Sequence, residues 1–407
     1  MRFNMDITLY TLSSMIHDAQ TIARNTKSFL NGIEEGSGYK FNIKGQNFDE
    51  WNKDELNIIY IGTGGTENLF KEAFNKITGH IILLTSGKSN SLAASMEILS
   101  FLRKQGRTGE IIHGSTEYIA SRVKTMAVVH EARKSLKDKN IGVIGKPSDW
   151  LISSSVNKAA VKDKLGINII EIPIEELNEI FDTLSLDDFP PQIANHFDKT
   201  APGKLKKYRE GSFKLYLALD KIVNKYNLSG FTLRCFDLLT SIHNTGCLGL
   251  AIMNARGIPA CCEGDIPALI TMMIGNAITG VSGFQANPSR IDPEKGEITF
   301  AHCTIPLNMV KEFKYNTHFE SGIGVAIKGE LEKGPVTLAK VSGELDRSWF
   351  MNAKLKKNLS EEDLCRTQVV IHAKGTDKYF LNDPIGNHHI IFPGHVAETF
   401  EAFMQAL

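Results

Sequence analysis

Between Phe231 and Thr304 the chain gathers side chains that can move protons or hold a cation. They are Arg234, Cys235 and Asp237, then Cys261-Cys262-Glu263-Gly264-Asp265, then His302-Cys303. Carboxylate, thiol and imidazole delivered from several element ends into one cleft is the usual construction of an active site on a rigid scaffold. Gly257 to Met273 reads as a strand, an acidic turn and an apolar helix with Pro267 in its first turn. Asp265 is a natural N-cap for that helix, whereas Glu263 has less structural excuse. An acid ending a strand covered on both faces needs a partner or a chemical role. Glu263 and Asp265 are the expected proton-transfer residues. Downstream, His302 ends a strand, His318 follows within Thr317–Glu320, and Gly386-Asn387-His388-His389 lies near the C-terminus. Imidazoles from three separate elements, joined by a carboxylate, suit a divalent metal such as manganese that keeps positions open for substrate oxygens. Cys235, Cys261 and Cys262 read as small buried residues rather than nucleophiles.

A second set sits on loops that follow predicted strands. Gly62-Thr63-Gly64-Gly65-Thr66-Glu67 ends a strand and opens a helix, where backbone N–H groups can hold an anionic or hydroxyl-rich ligand. It is not a dinucleotide loop, because Glu67 stands where a third glycine is required, and it lacks the Lys-Ser/Thr pair of a Walker loop. Gly64, Gly65, Thr66 and Glu67 are therefore expected to touch a sugar or small polar ligand. Asn90 and Ser91, after the next strand, add neutral hydrogen-bonding groups or cap the following helix. In Gly145-Lys-Pro-Ser-Asp149-Trp150, the carboxylate suits hydroxyl groups and the indole suits the C–H face of a polyol. Arg234, with Lys146 and Arg290, offers cationic contacts to an anionic sugar, although solvated faces are the commoner place for such residues.

The elements that must carry these residues follow an α/β rhythm. Asn57–Thr63, Ile81–Thr85, Glu110–His113, Ile141–Ile144 and Asn168–Ile172 are short apolar runs, and the first four are followed by helical text. This alternation predicts parallel sheets with sites at strand carboxyl ends. Residues 1–140 are expected as one α/β domain and 141–283 as a second, with a charged helical insertion over about 175–228. Residues 284–407 are rich in β-type runs punctuated by glycine and predict an antiparallel barrel closed by a terminal helix. With 407 residues and 42% apolar content each domain can bury a core. Lys plus Arg and Asp plus Glu number 46 each, so no basic field for nucleic acid exists. The six cysteines have no zinc-ribbon or secreted-framework spacing. Met1–Tyr10 shows no export leader, and no apolar run reaches the length of a membrane span. A soluble protein of the reducing cytoplasm is expected.

At these residues the chain resembles the L-fucose isomerase and L-arabinose isomerase family. The likeness is carried by Phe236-Asp237-Leu238, Gly249-Leu-Ala251, Arg256-Gly257, Glu263-Gly264-Asp265, Ala301-His302 and Gly386-Asn387-His388-His389. It implies two α/β domains, a C-terminal barrel domain, trimers or hexamers with shared clefts, and an aldose–ketose isomerase, an intramolecular oxidoreductase working through an enediol. It also implies a divalent metal such as manganese on the sugar C1 and C2 oxygens. Where the family carries its first metal carboxylate, in Phe-Met-Glu-Asp, this chain has Phe284-Gln-Ala-Asn287. Where the second follows Ala-His, it has Thr304-Ile-Pro306. His389 is the ligand position carried over, so the resemblance leads to a metal set of His302, His318 and His389 with Glu263 and Asp265 nearby. Two alternatives stay open: a non-catalytic carbohydrate-binding protein on the same scaffold, and an epimerase or an isomerase of an anionic sugar.

Overall fold

Apolar runs of five residues, bounded by glycine or asparagine, become the central strands of the structure, a computed structural model that describes residues 5–14 and 18–407. The fold is α/β with two parallel sheets and a closed antiparallel barrel. Two compact units divide the chain. The first runs up to Lys134 and includes Glu401–Leu407, and the second spans Ser135–Phe400.

The first unit holds a five-stranded sheet in the order Lys40–Gly45, Asp6–Leu12, Asn57–Ile61, Ile81–Thr85, Gly109–Ile112. All its pairs are parallel. Every residue of Asn57–Ile61 and Ile81–Thr85 is buried, the continuous apolar pattern of strands covered on both faces. The helices Glu67–Ala73, Ser91–Lys104 and Thr116–Leu136 follow their strands as the periodicity predicts. Part of the expectation about a leader falls on residues 1–4, which lie outside the described residues.

The second unit opens with a four-stranded parallel sheet in the order Asn168–Ile172, Asn140–Ile144, Leu228–Leu233, Ala260–Cys262. The charged stretch between its second and third strands in sequence is helical, with Ile174–Asp182, Pro191–Thr200 and Arg209–Lys225. Pro191 occupies the first turn of its helix, where a missing N–H costs nothing. The helix Ile266–Thr279 is apolar all round, and Ile266 through Gly275 are buried. Such a helix must be covered on every side. One cover is the barrel: Gly275 leaves the space that the Phe392 ring fills.

Six strands close that barrel in the order Phe284–Asp292, Glu297–His302, Thr367–His372, Ser348–Asn358, Gly334–Val341, His389–Pro393. A separate antiparallel pair, Val310–Asn316 with Ala326–Leu331, lies outside it. The closing helix is Ala397–Gln405. Among the described residues no helix is long and apolar enough to cross a membrane.

Candidate active site

The end of the short strand Ala260–Cys262 is clamped before the acidic turn begins. The amide side chain of buried Gln285 accepts from the Cys262 N–H at 2.8 Å and donates to its carbonyl at 3.4 Å. Glu263 then takes a left-handed conformation, φ 66°, which costs a residue with a Cβ about 1–2 kcal/mol. Backbone strain of this kind persists where the surroundings over-determine it, often at functional sites. Gly264 follows at φ 70°, and a Cβ there would lie 2.5 Å from the Lys146 carbonyl oxygen. The Ser148 N–H donates to the Glu263 carbonyl at 2.9 Å, and Gly264 N–H donates to Leu233 at 3.1 Å. Three parallel-strand ends are thereby tied around one carboxylate.

That carboxylate meets two imidazoles from the barrel. Glu263 Oε1 lies 3.6 Å from His388 Nε2 and 3.9 Å from His302 Nε2. One ligand atom from each of the three residues falls within 4.8 Å of the other two. Donors sharing one ion at about 2.0–2.2 Å stand at most about 4.4 Å apart, so a shift of a few tenths of an ångström completes the set. The residues fit a divalent ion by a second test. His388 Nε2 is buried and has no hydrogen-bond partner, while its Nδ1 is held by Asp265 Oδ2 at 2.9 Å. A ring nitrogen fixed by a carboxylate, with the other left bare, is how metal-bound histidines are oriented. His302 is set likewise, its Nδ1 bonded to Thr304 Oγ1 at 2.8 Å.

The electrostatics follow from this packing. Burial opposes ionisation of Glu263, but the contact with His388, the charges of His388 and His302 and the Trp150 donor hold its pKa down to about 2. Asp265 is also driven well below the usual carboxylate range. Burial again opposes this, and Lys340 and His388 outweigh it. Without an ion, His388 is pushed up to about 9 against its burial by Asp265 and Glu263, and burial with the His388 charge holds His302 down to about 3.

Asp265 has two duties and no exposed surface. One oxygen caps the helix through the Ala268 N–H at 2.8 Å, the other holds His388, and the fully buried Lys340 Nζ stands 4.0 Å away. It lies behind the imidazole rather than at a substrate, which corrects the expectation that it transfers protons directly. Trp150 Nε1 donates to Glu263 Oε2 at 2.7 Å, and the residue is 51% exposed. Its edge-to-face neighbour Phe236, 4.8 Å away, abuts His318 at 5.6 Å. Arg234 and Asp149 serve this wall as a tie. The guanidinium reaches Asp237, the Pro147 carbonyl and Asp149, each within 3.0 Å.

Of the expected metal histidines, His302 is in the group and His318 borders it, with Nδ1 turned to Ser321 at 3.0 Å. His389 is not in it. Its Nε2 meets the Tyr379 hydroxyl at 2.9 Å and its Nδ1 faces the Asn387 carbonyl, among the rings of Phe380, Trp349 and Phe300. Successive residues of an extended chain face opposite ways, so His388 points to Glu263 because His389 points into the barrel with Ile391. The His-His pair was the available signal, and only the strand register could choose its member. Arg290 is paired with Glu361 and Asp363. All six cysteines are free thiols. Burial pushes Cys261 up, and contact with Cys235 and burial push Cys262 up, so neither is an activated nucleophile.

The chain is similar to proteins named sulfoquinovose isomerase. That of Clostridium sp. (strain MSTE9) is 32% identical over 98 residues, 24% of this chain and 22% of the relative. The Priestia aryabhattai protein is 21% identical over 342 residues, 78% of this chain and 73% of the relative. The Alkalicoccus urumqiensis protein is 20% identical over 261 residues, 62% and 59% of the two lengths. No family model matches the chain.

The remaining expected contacts belong to the first unit. Gly64 N–H donates to the Ser89 carbonyl at 2.7 Å, Thr66 Oγ1 donates to the Thr63 carbonyl, and buried Ser91 accepts from Thr85 at 2.6 Å. Gly65 has φ 75°, Asn90 has φ 59° without capping its helix through its side chain, and Glu67 is the first helical residue. The hydroxyls of Thr66 and Ser91 donate or accept within these loops, leaving backbone groups and the Glu67 and Asn90 side chains as the candidates there.

Proposed function

We propose that the protein is an aldose–ketose isomerase acting on a monosaccharide, with a divalent ion, manganese in the first instance, held by Glu263, His302 and His388. The observation that carries this reading is the closeness of one ligand atom from each of these three side chains, with His388 Nε2 left bare. When bound, the ion would polarise the neighbouring C1 and C2 oxygens and stabilise the enediolate charge. Asp265 and Thr304 keep the two imidazoles aimed, and Glu263 stays ionised to complete the set. Trp150 both fixes Glu263 and offers its exposed indole to the C–H face of the sugar. Within the first unit, Gly64, Gly65, Glu67 and Asn90 are proposed contacts for a small polar ligand. Six free thiols suit a reducing cytoplasm, and assembly into a trimer or hexamer is proposed from the family resemblance.

For the substrate, the relatives' names favour a sulfo sugar over a neutral one, which agrees with the anionic-sugar alternative. Lys146, whose side chain is 71% exposed and lies 3.7 Å from Asp149, is the cation proposed to meet such a group. The test is C2 deuterium exchange and ketose formation by NMR with metal-stripped protein, with and without manganese, across neutral aldoses and sulfoquinovose. Metal-dependent exchange is expected, fastest with sulfoquinovose. Binding of sugars without exchange under any metal would leave a carbohydrate-binding protein instead.

A further inference from the structure

A closed ring of contacts surrounds the group formed by Glu263, His302 and His388. Glu263 accepts from Trp150, Trp150 packs edge-on against Phe236, and Phe236 abuts the His318 imidazole. The next residue, Phe319, has its backbone N–H on the Cys303 thiol, and Cys303 follows His302, back in the group. The segment Thr317–Ile323 therefore lies alongside the group. It is firmly held. His318 N–H donates to Ile323 and Gly322 N–H to His318, both at 3.0 Å, while Arg366 Nε donates to the Thr317 carbonyl at 2.8 Å. The Arg366 guanidinium also covers the Phe319 ring, which packs beside Cys303. Glu320 comes next on this rigid segment. It is exposed, and among the described residues no hydrogen bond or ion pair engages its carboxylate.

We propose that Glu320 is the carboxylate that carries the proton between C2 and C1 of the sugar. This rests on the isomerase reading. A proton carrier needs an oxygen free to meet the substrate, and the nearby alternatives lack one. Glu263 is spent on Trp150, His388 and His302, and Asp265 is sealed behind His388. Gln285, in the segment where the resembling family has a carboxylate, is a backbone clamp. Glu320 is close enough to Glu263 for the charge of that carboxylate to reach it. In the step, Glu320 takes the C2 hydrogen as a proton, the C–H pair becomes the C1=C2 bond, and O1 takes the former carbonyl pair and a proton from water. Glu320 then returns its proton to C1, where the C1=C2 pair becomes the new C–H bond, while O2 gives its proton to water and its O–H pair forms the C2 carbonyl, so the ketose is completed without any oxidant or reductant.

The test compares wild type with Glu320→Gln and Glu320→Asp in manganese-loaded protein. For Glu320→Gln, kcat and C2 deuterium exchange are expected to fall together by about 10²–10⁴-fold, the usual worth of a general acid–base. KM should stay within about threefold, the pattern of an interaction made only in the transition state. Manganese affinity by calorimetry and the thermal midpoint should not change, and Glu320→Asp should keep part of the rate. A Glu320→Gln rate within about threefold of an active wild type would overturn the assignment alone. Loss of manganese binding or of folding in both variants would overturn it in favour of a structural role. A wild type that exchanges no sugar would overturn both this assignment and the isomerase reading.

Discussion

His388 and His389 are neighbours of one residue type, both fully buried, and they occupy opposite worlds. His388 faces two carboxylates, is held protonated up to about 9 in the absence of an ion, and leaves Nε2 without a partner. His389 faces aromatic rings and a tyrosine hydroxyl. Burial and the Lys340 charge hold it neutral down to about 3, and both its nitrogens are engaged. The difference teaches that burial does not decide whether a histidine can serve chemistry. What decides is whether the fold supplies an anion to fix one nitrogen and leaves the other bare.

The sharpest way to break this comparison is at the carboxylate they do not share. Glu263→Gln removes the negative charge from the group while keeping its size and the Trp150 contact. Manganese binding should disappear and kcat/KM should fall by about 10³-fold, the upper range for one lost electrostatic stabiliser. An active Glu263→Gln enzyme would dissolve the proposed site. The second effect sets the two imidazoles against each other. His388→Gln should lower manganese affinity and activity by at least about 10²-fold, and His389→Phe should leave both within about threefold. The reverse ranking in calorimetry would return the ligand role to His389.

Next in size is Asp265→Asn. Asparagine caps a helix as well as aspartate does, but it leaves the buried Lys340 and His388 cations without their counter-charge, so the thermal midpoint of metal-free protein should fall. Loss of the charge behind His388 should weaken manganese binding by about 10–100-fold. A fall in stability without a change in affinity would make Asp265 a buried counter-charge and nothing more.

The smallest effect is the pH response of metal-free protein. The His388 pKa is raised from 6.5 to about 9, so its contribution is complete below 6.5 and is lost as pH rises through 9. Glu263 falls from 4.5 to about 2, so its contribution is complete above 4.5 and is lost as pH drops through 2. His302 and His389, lowered from 6.5 to about 3, each cost stability as pH falls below 6.5. The thermal midpoint with chelator present should peak near pH 6.5 and decline toward 9. Manganese should reverse the alkaline decline by taking Nε2 from the proton. A flat profile from 6.5 to 9 in chelator would remove the cation assigned to His388.

Much of the scaffold was legible as pattern. Asn57–Ile61 and Ile81–Thr85 are apolar runs at glycine-marked ends, and Asp265 with Pro267 announces the helix Ile266–Thr279. Lys40–Gly45 and Ser348–Asn358 were not legible, because polar and charged residues interrupt both runs. An edge strand or one half-open to solvent needs no continuous apolar signature. The importance of Glu263 was readable from an acid ending a strand. Its partners Trp150 and His388 lie 113 and 125 positions away, and nothing local marks either contact.

By itself the sequence determined which elements form and which residue types crowd near Glu263, since periodicity and caps act over a few residues. Tertiary structure alone decided that His388 rather than His389 faces that carboxylate. Barrel closure sets the register of His389–Pro393 against Phe284–Asp292, and one residue of slip would exchange the two faces. It likewise brought Trp150 to its place, because contacts between distant segments follow from how layers pack and not from the order of residues along the chain.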